Sequence, residues 1–306
     1  MDTAPAGTAL LSRSPAMTRN AARTGPGPMS VIAIEQTFPP AERVVDDDMA
    51  SRILPLGLRL FLRLIRPRFA RDWMIRASEK RMPGIWGGML CRKRYIDEKL
   101  AAAAGSIDAV VNLGAGFDTR ACRLPALARV PVWELDQPHN IEPKRKRLRG
   151  IFQRIPGHVM LVAMDFEHDD IAATLAAHGY AAGRRTFFVW EAVTQYLTEE
   201  GVRATMELLA RAVPGSRMVF TYVRSDFVDG REKYGQEALY EKYVVKQRIW
   251  RFGLEPDHVA AFLAPYGWRV VEHVGYDDLA ERYIVPTGRT MATTPIERIV
   301  YAEKQA

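Results

Sequence analysis

Cysteine is scarce in this chain of 306 residues, where Cys91 and Cys122 are the two examples. Two cysteines form neither a disulfide framework nor a cysteine-rich zinc site, so we expect an intracellular, cytoplasmic protein. No group of histidines and acids has the spacing of metal ligands, and we expect no metal. The longest apolar run, residues 53–65, contains one proline and two arginines. It falls short of the roughly 18 residues of a membrane span, which predicts no integral membrane segment.

Acids are almost absent from the first 30 residues, which contain Asp2 alone among many Ala, Ser, Thr, Pro, Gly and Arg residues. A transit peptide can have this composition. A disordered tail, or a true start at Met29 instead of Met1, explains it better. We predict a disordered tail over residues 1–38 and leave it out of the fold.

The net charge is positive, because 43 Lys and Arg outnumber 36 Asp and Glu to give +7. Such a balance can indicate nucleic acid, a membrane or an anionic substrate as the partner. The basic residues are spread along the chain, however, which is typical of a solvated surface. No basic stretch is interleaved with aromatic residues in the manner of single-strand binders. We therefore predict a small-molecule substrate and no nucleic acid, and leave the oligomeric state open.

Residues 39–104 have a helical pattern and are predicted to form an N-terminal helical cap. Within them, Ala41 to Leu54 is predicted as one short helix. A basic amphipathic segment follows, in which apolar residues recur at near-helical spacing among arginines: Leu58, Leu62, Ile65, Phe69 and Met74, with Arg59, Arg63, Arg66, Arg68 and Arg71. The segment could lie on a membrane surface. Core-facing amphipathic helices are far commoner, so we favour packing against the main domain.

Residues 105–306 alternate between short apolar runs and helical patterns, which predicts a mostly parallel seven-stranded sheet with helices on both faces. The predicted strands are residues 107–113, 131–135, 159–163, 186–190, 216–223, 268–274 and 296–301. The predicted helices are 141–148, 171–178, 199–212 and 256–266, and 226–251 is a charged, tyrosine-rich helical insertion. The last two strands are expected to pair antiparallel at the edge. The fold class is thus α/β, a Rossmann-like domain with a helical cap.

The most informative stretch is residues 110–120, VVNLGAGFDTR, where a buried strand leads through Gly114-Ala115-Gly116 into a helix. Glycines there permit a tight turn and the close approach of a ligand to the backbone. A dinucleotide fingerprint has a third glycine where this chain has Thr119. That glycine brings the helix close to a pyrophosphate, which S-adenosylmethionine lacks. The loop therefore favours S-adenosylmethionine over NAD as the cofactor.

Acids follow three successive predicted strands, at the edge where ligands bind in such sheets. Asp136 lies 20 residues beyond the second loop glycine, the spacing at which an acid accepts hydrogen bonds from ribose hydroxyls; Glu134 is the alternative. Asp165 can accept from the adenine amine while Phe166 stacks on the base, although Asp165 could instead cap the next helix. Glu191 is expected near the positive sulfonium and amino groups of the cofactor.

Three stretches together resemble the leucine carboxyl methyltransferase family: residues 111–120 (VNLGAGFDTR), 134–138 (ELDQP) with Lys144, and 191–197 (EAVTQYL). The resemblance covers about residues 85–220, and more loosely the chain to its C-terminus. The family includes polyketide carboxyl and phenol methyltransferases of secondary metabolism and many actinobacterial methyltransferases. The resemblance implies a class I methyltransferase that depends on S-adenosyl-L-methionine.

The resemblance also implies which residues bind this methyl donor: Gly114, Ala115, Gly116, Asp136, Asp165, Phe166 and Glu191. It further implies an arginine upstream of the first strand that binds the donor carboxylate, a strong pairing when bidentate. Arg92 fits that position best, and Arg94 is the alternative. Ala192 stands where many relatives carry glycine, and we expect this departure to be tolerated.

The expected reaction is in-line displacement of the methyl group from the sulfonium onto an oxygen, with alignment and desolvation supplying most of the acceleration. A carboxylate acceptor needs no general base, whereas a phenol, whose pKa is about 10, needs one. His139, His258 and His273 are the nearest candidates. Each is better explained as a surface or structural residue, so we assign no catalytic residue.

Aromatic residues of the cap and insertion indicate a hydrophobic acceptor, such as a polyketide or a lipid-like acid: Trp73, Trp86, Tyr234, Tyr240, Tyr243 and Trp250. Tyr196 and Tyr222 are predicted to contact that acceptor. Two other functions remain as alternatives. One is an NAD-dependent oxidoreductase on a similar fold, and the other is an S-adenosylmethionine-binding relative without activity.

Overall fold

A computed structural model describes residues 26–306 of the protein. The strands are β1 Ala109–Leu113, β2 Val132–Asp136, β3 Val159–Ala163, β4 Thr186–Trp190, β5 Arg217–Val223, β6 Trp268–Val274 and β7 Glu297–Lys304. The helices are α1 Pro26–Glu35, α2 Ala50–Ile53, α3 Leu56–Leu64, α4 Arg68–Arg81, α5 Ile85–Ala103, α6 Arg120–Arg123, α7 Pro138–Phe152, α8 Ile171–Ala177, α9 Glu199–Ala210, α10 Ser225–Val228, α11 Glu237–Tyr240, α12 Val259–Leu263 and α13 Tyr276–Tyr283.

All seven strands form one sheet in the order β3-β2-β1-β4-β5-β7-β6. Strands β1 to β5 pair in parallel, and β7 runs antiparallel between β5 and β6. The mostly parallel sheet and the antiparallel final pair are therefore confirmed. The strand order reverses between β1 and β4, which creates a switch point in the topology.

Strand β1 is buried on both faces, as expected of a central parallel strand covered by helices. Successive side chains point to opposite faces, so Val110 joins one hydrophobic core and Val111 the other. The first core includes residues of α1, α2, α5, α7 and α13. The second includes residues of α8, α9 and α12. Helices thus cover both faces, and the cap packs on the first.

Helix α1 lies within the segment predicted as a disordered tail. Its apolar residues Met29, Ile32 and Ile34 are buried in the first core, and burial of such side chains stabilises order by roughly 1.5–3 kcal/mol each. The predicted tail boundary at residue 38 is therefore wrong for residues 26–38. The rest of that prediction falls on residues 1–25, which lie outside the described residues.

The single helix predicted for residues 41–54 is also wrong. The segment contains a short 3₁₀ turn at Pro40–Glu42 and the four-residue helix α2. Between them, the buried Asp47 accepts a hydrogen bond from the backbone N–H of Met49. Aspartate side chains that bond to nearby backbone groups compete with helix formation, which explains the break.

The basic amphipathic segment forms two helices, α3 and α4, instead of one. Pro67 stands directly before α4, where its missing N–H costs nothing, and it disfavours helical backbone at the residue before it. Leu58, Leu62, Ile65 and Met74 pack against the first core, as the favoured interpretation predicted, but Phe69 of the same predicted set is exposed.

The insertion at residues 226–251 is helical but irregular, with α10, α11 and a π-helical turn at Glu241–Lys246. It forms a third small core, whose buried members are Val223, Phe227, Leu239, Ile249, Trp250 and Ile296. The helix predicted for 256–266 is α12 with a 3₁₀ turn at either end. Helix α13 was not predicted.

Across residues 26–306, no helix is both long and apolar enough to cross a membrane. Within the same residues, no cluster of three or more His, Cys, Asp or Glu side chains could hold a metal ion.

Candidate cofactor and substrate site

A cavity of about 760 Å³ opens at the carboxyl ends of β1 to β4. Ligands of open α/β sheets bind at this edge, beside the switch point, and the volume suits a small molecule. On one side, which we call the strand side, it is lined by residues at or just after the strand ends: 114–118 after β1, Asp136 and Gln137 at the end of β2, 165–167 after β3, and 191–193 after β4.

The glycine loop turns sharply after β1. Gly114 has φ of 76°, and a Cβ built on it would lie 2.3 Å from Cγ2 of Val193. Gly116 has φ of 46°, but there the nearest atom to a Cβ would be Oδ2 of Asp136 at 4.0 Å. Backbone conformation favours glycine at both positions, and close packing adds a second requirement at Gly114.

Asp136 lies where the sequence predicts and also holds the glycine loop. Its Oδ2 accepts a hydrogen bond from the backbone N–H of Gly116 at 2.6 Å. Its Oδ1 accepts from the backbone N–H of Gln137 at 2.6 Å and from the side chain of Asn140 at 2.8 Å. The carboxylate lines the cavity although it is largely buried. It thus connects the loop to the start of α7.

Glu134, the alternative to Asp136, does not line the cavity. Its Oε2 lies 2.7 Å from Nζ of Lys144, and both side chains are buried. Burial raises the pKa of Glu134, while the Lys144 charge opposes that rise. The two residues form an ion pair between β2 and α7, and Glu134 is no ribose ligand in this arrangement.

Arg92 of α5 lines the cavity and is held by two acids. Its Nε donates to Oε1 of Glu191 at 2.9 Å, and its Nη1 donates to both carboxylate oxygens of Glu297, at 2.8 and 3.1 Å. Arg94, the alternative, is exposed and absent from the cavity wall. The structure therefore brings Arg92 and Glu191 together, each already engaged by the other.

Behind Glu191, a buried cluster of charges surrounds Arg120. The Arg120 Nη1 lies 2.5 Å from Oδ2 of Asp118 and 2.5 Å from Oε2 of Glu191, and its Nε lies 2.6 Å from Oδ1 of Asp97. Lys93 adds a contact of 3.4 Å to Asp118. Burial alone would raise the pKa of Glu191, but the Arg120 and Lys93 charges outweigh burial and lower it to about 2. Glu191 is thus ionised at neutral pH.

Asp165 and Phe166 both line the cavity after β3. The alternative role of Asp165, as the cap of the next helix, is filled by Asp170, whose side chain accepts from a backbone N–H of α8. Asp165 instead accepts from the backbone N–H of Glu167 at 3.0 Å. Its carboxylate therefore orders the turn at the cavity wall.

The opposite side of the cavity, which we call the cap side, is apolar and aromatic. It is formed by α1, the end of α4, the start of α5, the 3₁₀ turn after β4 and the insertion: Met29, Val31, Met82, Ile85, Trp86, Met89, Tyr196, Leu239, Tyr243, Ile249 and Trp250. Tyr243 and Trp250 stack with ring centroids 5.0 Å apart. Three exposed cations, Lys242, Arg248 and Arg251, also line it, whereas no acid of the insertion does.

The structure brings Tyr196 to the cavity but not Tyr222. The latter is fully buried in β5, and its hydroxyl lies 2.8 Å from Nε2 of His273. We therefore drop Tyr222 as a substrate contact. Of the six aromatic residues taken to indicate a hydrophobic acceptor, three line the cavity and three do not: Trp86, Tyr243 and Trp250 against Trp73, Tyr234 and Tyr240.

No histidine lines the cavity, although all six of the chain lie within the described residues. His139 and His258 are exposed. His273 accepts a hydrogen bond from Nε of Arg298, and burial together with the Arg298 charge lowers its pKa to about 4. His273 is therefore neutral at physiological pH and has a structural role.

Several cavity residues were not predicted from the sequence: Lys93, Asn112, Glu297, Gly27, Pro28, Met29 and Val31. Lys93 is adjacent to Arg92, but surface lysines are common on helices, so nothing in the sequence distinguishes it. Glu297 begins the last strand, far from every motif. Val31 begins the apolar stretch VIAI of residues 31–34, and residues 27–29 lie just before it; this stretch is a signal of a buried helix that could have identified them.

The chain is similar to known proteins along most of its length. The family model for leucine carboxyl methyltransferase matches residues 27–210. An S-adenosyl-L-methionine-dependent methyltransferase, so named, from Mycobacterium avium is 28% identical over 79% of this chain and 81% of its own length. One from Mycolicibacterium smegmatis is 31% identical over 78% of each.

Two solved structures support the fold. A DUF574 family protein from Streptomyces avermitilis has a TM-score of 0.54 at 17% identity, covering 77% of this chain and 90% of that one. A methyltransferase from Thermobifida fusca has a TM-score of 0.51 at 14% identity, covering 78% and 89%. The fold is thus the Rossmann-like class I methyltransferase fold. With the family model matching more than half of its residues, the chain belongs to the leucine carboxyl methyltransferase family and is an enzyme that depends on S-adenosyl-L-methionine.

Proposed function

We propose that this methyltransferase acts on the oxygen of a carboxylate carried by a hydrophobic small molecule. The observation that carries the proposal is the composition of the cap side, where apolar and aromatic walls meet three cations and no histidine. A carboxylate is already a nucleophile at neutral pH and needs no base. A phenol, with a pKa of about 10, would need a base that the cavity walls do not offer as histidine.

The strand side would hold the methyl donor, which supplies a methyl group activated by a sulfonium. Gly114, Ala115 and Gly116 would let it approach the backbone, in the space that a side chain at Gly116 would enter. Asp136 offers carboxylate oxygens to ribose hydroxyls, and Asp165 with Phe166 suits the adenine. These assignments are supported by the position of all these residues on one wall of the cavity.

Arg92 and Glu191 would set the charge where the amino-acid part of the donor lies. Glu191 keeps its negative charge at neutral pH, since neighbouring cations lower its pKa to about 2. Arg92 is fixed in position by Glu191 and Glu297. The pair can therefore present one charge of each sign to a zwitterion without rearranging the chain.

On the cap side, the residues align the acceptor and exclude water. Trp86, Tyr243 and Trp250 would contact its apolar part, and Tyr196 adds a further ring. Lys242, Arg248 and Arg251 would attract its negative charge toward the cavity. Alignment in a desolvated site can supply much of the acceleration of such a transfer.

A direct test compares acceptors that share one apolar skeleton and differ in a single group: a carboxylic acid, a phenol and an amine. Each is incubated with donor labelled in its methyl group, and the product is scored for release of label by mild base. We expect label in a base-labile ester from the acid. Transfer to the phenol or amine alone would overturn the carboxylate assignment. Donor binding with no product from any acceptor would favour the alternative of a relative without activity.

The predicted intracellular location stays a prediction. It rests on the scarcity of cysteine, with Cys91 and Cys122 as the two examples. Fractionation of the native host, with detection of the full chain, would check it.

A further inference from the structure

Helix α3 is apolar on two faces. One face, with Leu58, Leu62 and the following Ile65, packs on the first core. On the other, Leu56, Leu60 and Leu64 recur every four residues and are 67%, 48% and 76% exposed. A surface helix of a soluble domain normally has polar residues on that second face. The second face therefore requires its own explanation.

The apolar surface continues onto α4. Phe61 is 47% exposed, and beyond the turn Phe69 and Trp73, four residues apart on one face of α4, are 78% and 68% exposed. We call this surface the α3–α4 patch: Leu56, Leu60, Phe61, Leu64, Phe69 and Trp73. The other large exposed apolar residues of the described chain are three valines far apart in sequence: Val245, Val271 and Val285. A clustered patch of this kind marks a contact surface, whereas single residues do not.

Basic residues surround the patch. Residues 56–81 contain eight Lys and Arg and two acids. Both acids are engaged within the cap: Asp72 pairs with Arg71 at 2.8 Å, and Glu79 accepts from the backbone N–H groups of residues 84 and 86. Exposed arginines that make no ion pair within residues 26–306 include Arg63, Arg66, Arg68 and Arg76. The surface is thus apolar in its middle and positive around it.

We propose that the α3–α4 patch docks on an anionic membrane surface. An amphipathic helical surface with Leu, Phe and Trp on its apolar face and arginines beside them is what interfacial binding requires. Charge argues against the other occupants. A second copy would bring the same positive surface against itself, and residues 1–25 contain three arginines and one acid, so they do not complement it either.

The patch lies close to the cavity. Ser78 in the last turn of α4 and Met82 directly after it line the cap side, and Met82 lies nine positions beyond Trp73, a rise of about 14 Å. Docking would place the mouth of the cap side near the lipid surface. Access of a lipid-like acid from the membrane would follow, and this consequence, unlike the docking itself, rests on the proposed acceptor.

Trp73 provides a direct probe, because the other five tryptophans of the chain are buried. The full chain is mixed with vesicles of phosphatidylcholine alone, or of phosphatidylcholine and phosphatidylglycerol in equal parts. With the anionic vesicles we expect co-sedimentation, a blue shift of tryptophan emission and protection from acrylamide, all weakened by added salt. Trp73→Phe should abolish the blue shift but keep sedimentation, because Phe keeps the patch apolar.

The matched variants separate docking from folding. Leu60→Ser with Leu64→Ser should lower the vesicle affinity by about tenfold or more, since two exposed apolar side chains are lost. Val285→Ser, which removes an equally exposed apolar residue elsewhere, should leave it unchanged. Circular dichroism should show that the double variant is folded, so that a loss of binding is not a loss of structure.

Three results would overturn the proposal. Equal binding to neutral and anionic vesicles would show that charge does not contribute to docking. Trp73 inaccessible to acrylamide before vesicles are added would mean that the chain covers its own patch. A dimer in light scattering that the double-serine variant dissociates would make the occupant a second copy.

Discussion

The strand side and the cap side of the cavity are stabilised in different ways. On the strand side, the acids at the strand ends are fixed by hydrogen bonds and ion pairs: Asp136 accepts from three donors, and Glu191 pairs with Arg92 and with the buried Arg120 behind it. On the cap side, walls come from α1, α4, α5 and an irregular insertion. They meet through apolar contacts, and the cations there are exposed.

This difference predicts that the two sides differ in how many substitutions they tolerate. A charge in the buried cluster cannot be changed without stranding its partners, so the strand side tolerates little substitution. Exposed cations and apolar walls can be exchanged at small cost to folding. We infer that the cap side sets acceptor choice, because it is the side that can change while the donor half persists.

The largest effect is expected from Arg120→Met. The substitution leaves Asp97, Asp118 and Glu191 buried without their shared cation, which costs about 3–5 kcal/mol of unfolding free energy. Arg203→Met is the control, since Arg203 pairs with Glu199 on an exposed helix face and contributes about 0.3–0.5 kcal/mol. Urea unfolding measures both. Equal, small losses would show that the strand side is not the rigid side.

The next effect is expected from Gly114→Ala compared with Gly116→Ala. Both place alanine in the left-handed region of backbone conformation, which should lower the free energy of unfolding by about 1–2 kcal/mol. Gly114→Ala adds a contact of 2.3 Å to Val193, at about 1–3 kcal/mol more. Thermal unfolding should rank Gly114→Ala as the less stable, and Val193→Ala in the same chain should recover part of the loss. No rescue would contradict the packing argument.

On the cap side, Lys242→Met and Arg248→Met should act on the acceptor and not on the fold. Each exposed charge is expected to contribute about 1 kcal/mol to the binding of an acidic acceptor. Its removal should therefore raise KM roughly fivefold and leave kcat nearly unchanged. Lys246→Met is the matched control, because Lys246 is in the same insertion but does not line the cavity. Steady-state kinetics at low salt measure the effect. Equal changes in KM in all three variants would show that Lys242 and Arg248 do not bind the acceptor.

The smallest effect is expected from Ala192→Gly. Ala192 has φ of 55°, so glycine at this position would relieve strain of about 1–2 kcal/mol. Glycine also loses more chain entropy on folding, by about 0.5–1 kcal/mol. The unfolding free energy should therefore change by less than about 1 kcal/mol in urea unfolding, and a loss above 2 kcal/mol would show that alanine is required there.

The strand side was predictable from the sequence because its residues follow strands at fixed spacing. The glycine loop, Asp136, Asp165 and Glu191 all reach the cavity for that reason. The cap side was not, since its walls come from segments far apart in the chain. Residues 26–35 were assigned to a tail although their apolar run is buried, and Glu297 reaches Arg92 only through the strand pairing of β7.

Local bonding also misled the sequence reasoning at particular positions. Asp47 breaks the helix predicted for residues 41–54, and Pro67 divides the amphipathic segment into α3 and α4. Tyr222 lies in β5 with its hydroxyl bonded to His273, behind the cavity wall. The first two are local effects of single residues, which apolar periodicity does not report, and the third depends on a tertiary contact.

We propose that the strand side holds the methyl donor through Asp136. Calorimetry with S-adenosylhomocysteine on the wild type and Asp136→Ala tests it most directly, with NAD as the contrasting ligand and circular dichroism as the check on folding. We predict that the wild type binds S-adenosylhomocysteine and not NAD, and that Asp136→Ala weakens binding by about tenfold or more, as loss of hydrogen bonds to a charged group implies. Equal binding of S-adenosylhomocysteine by both proteins would show that Asp136 is not part of the donor site.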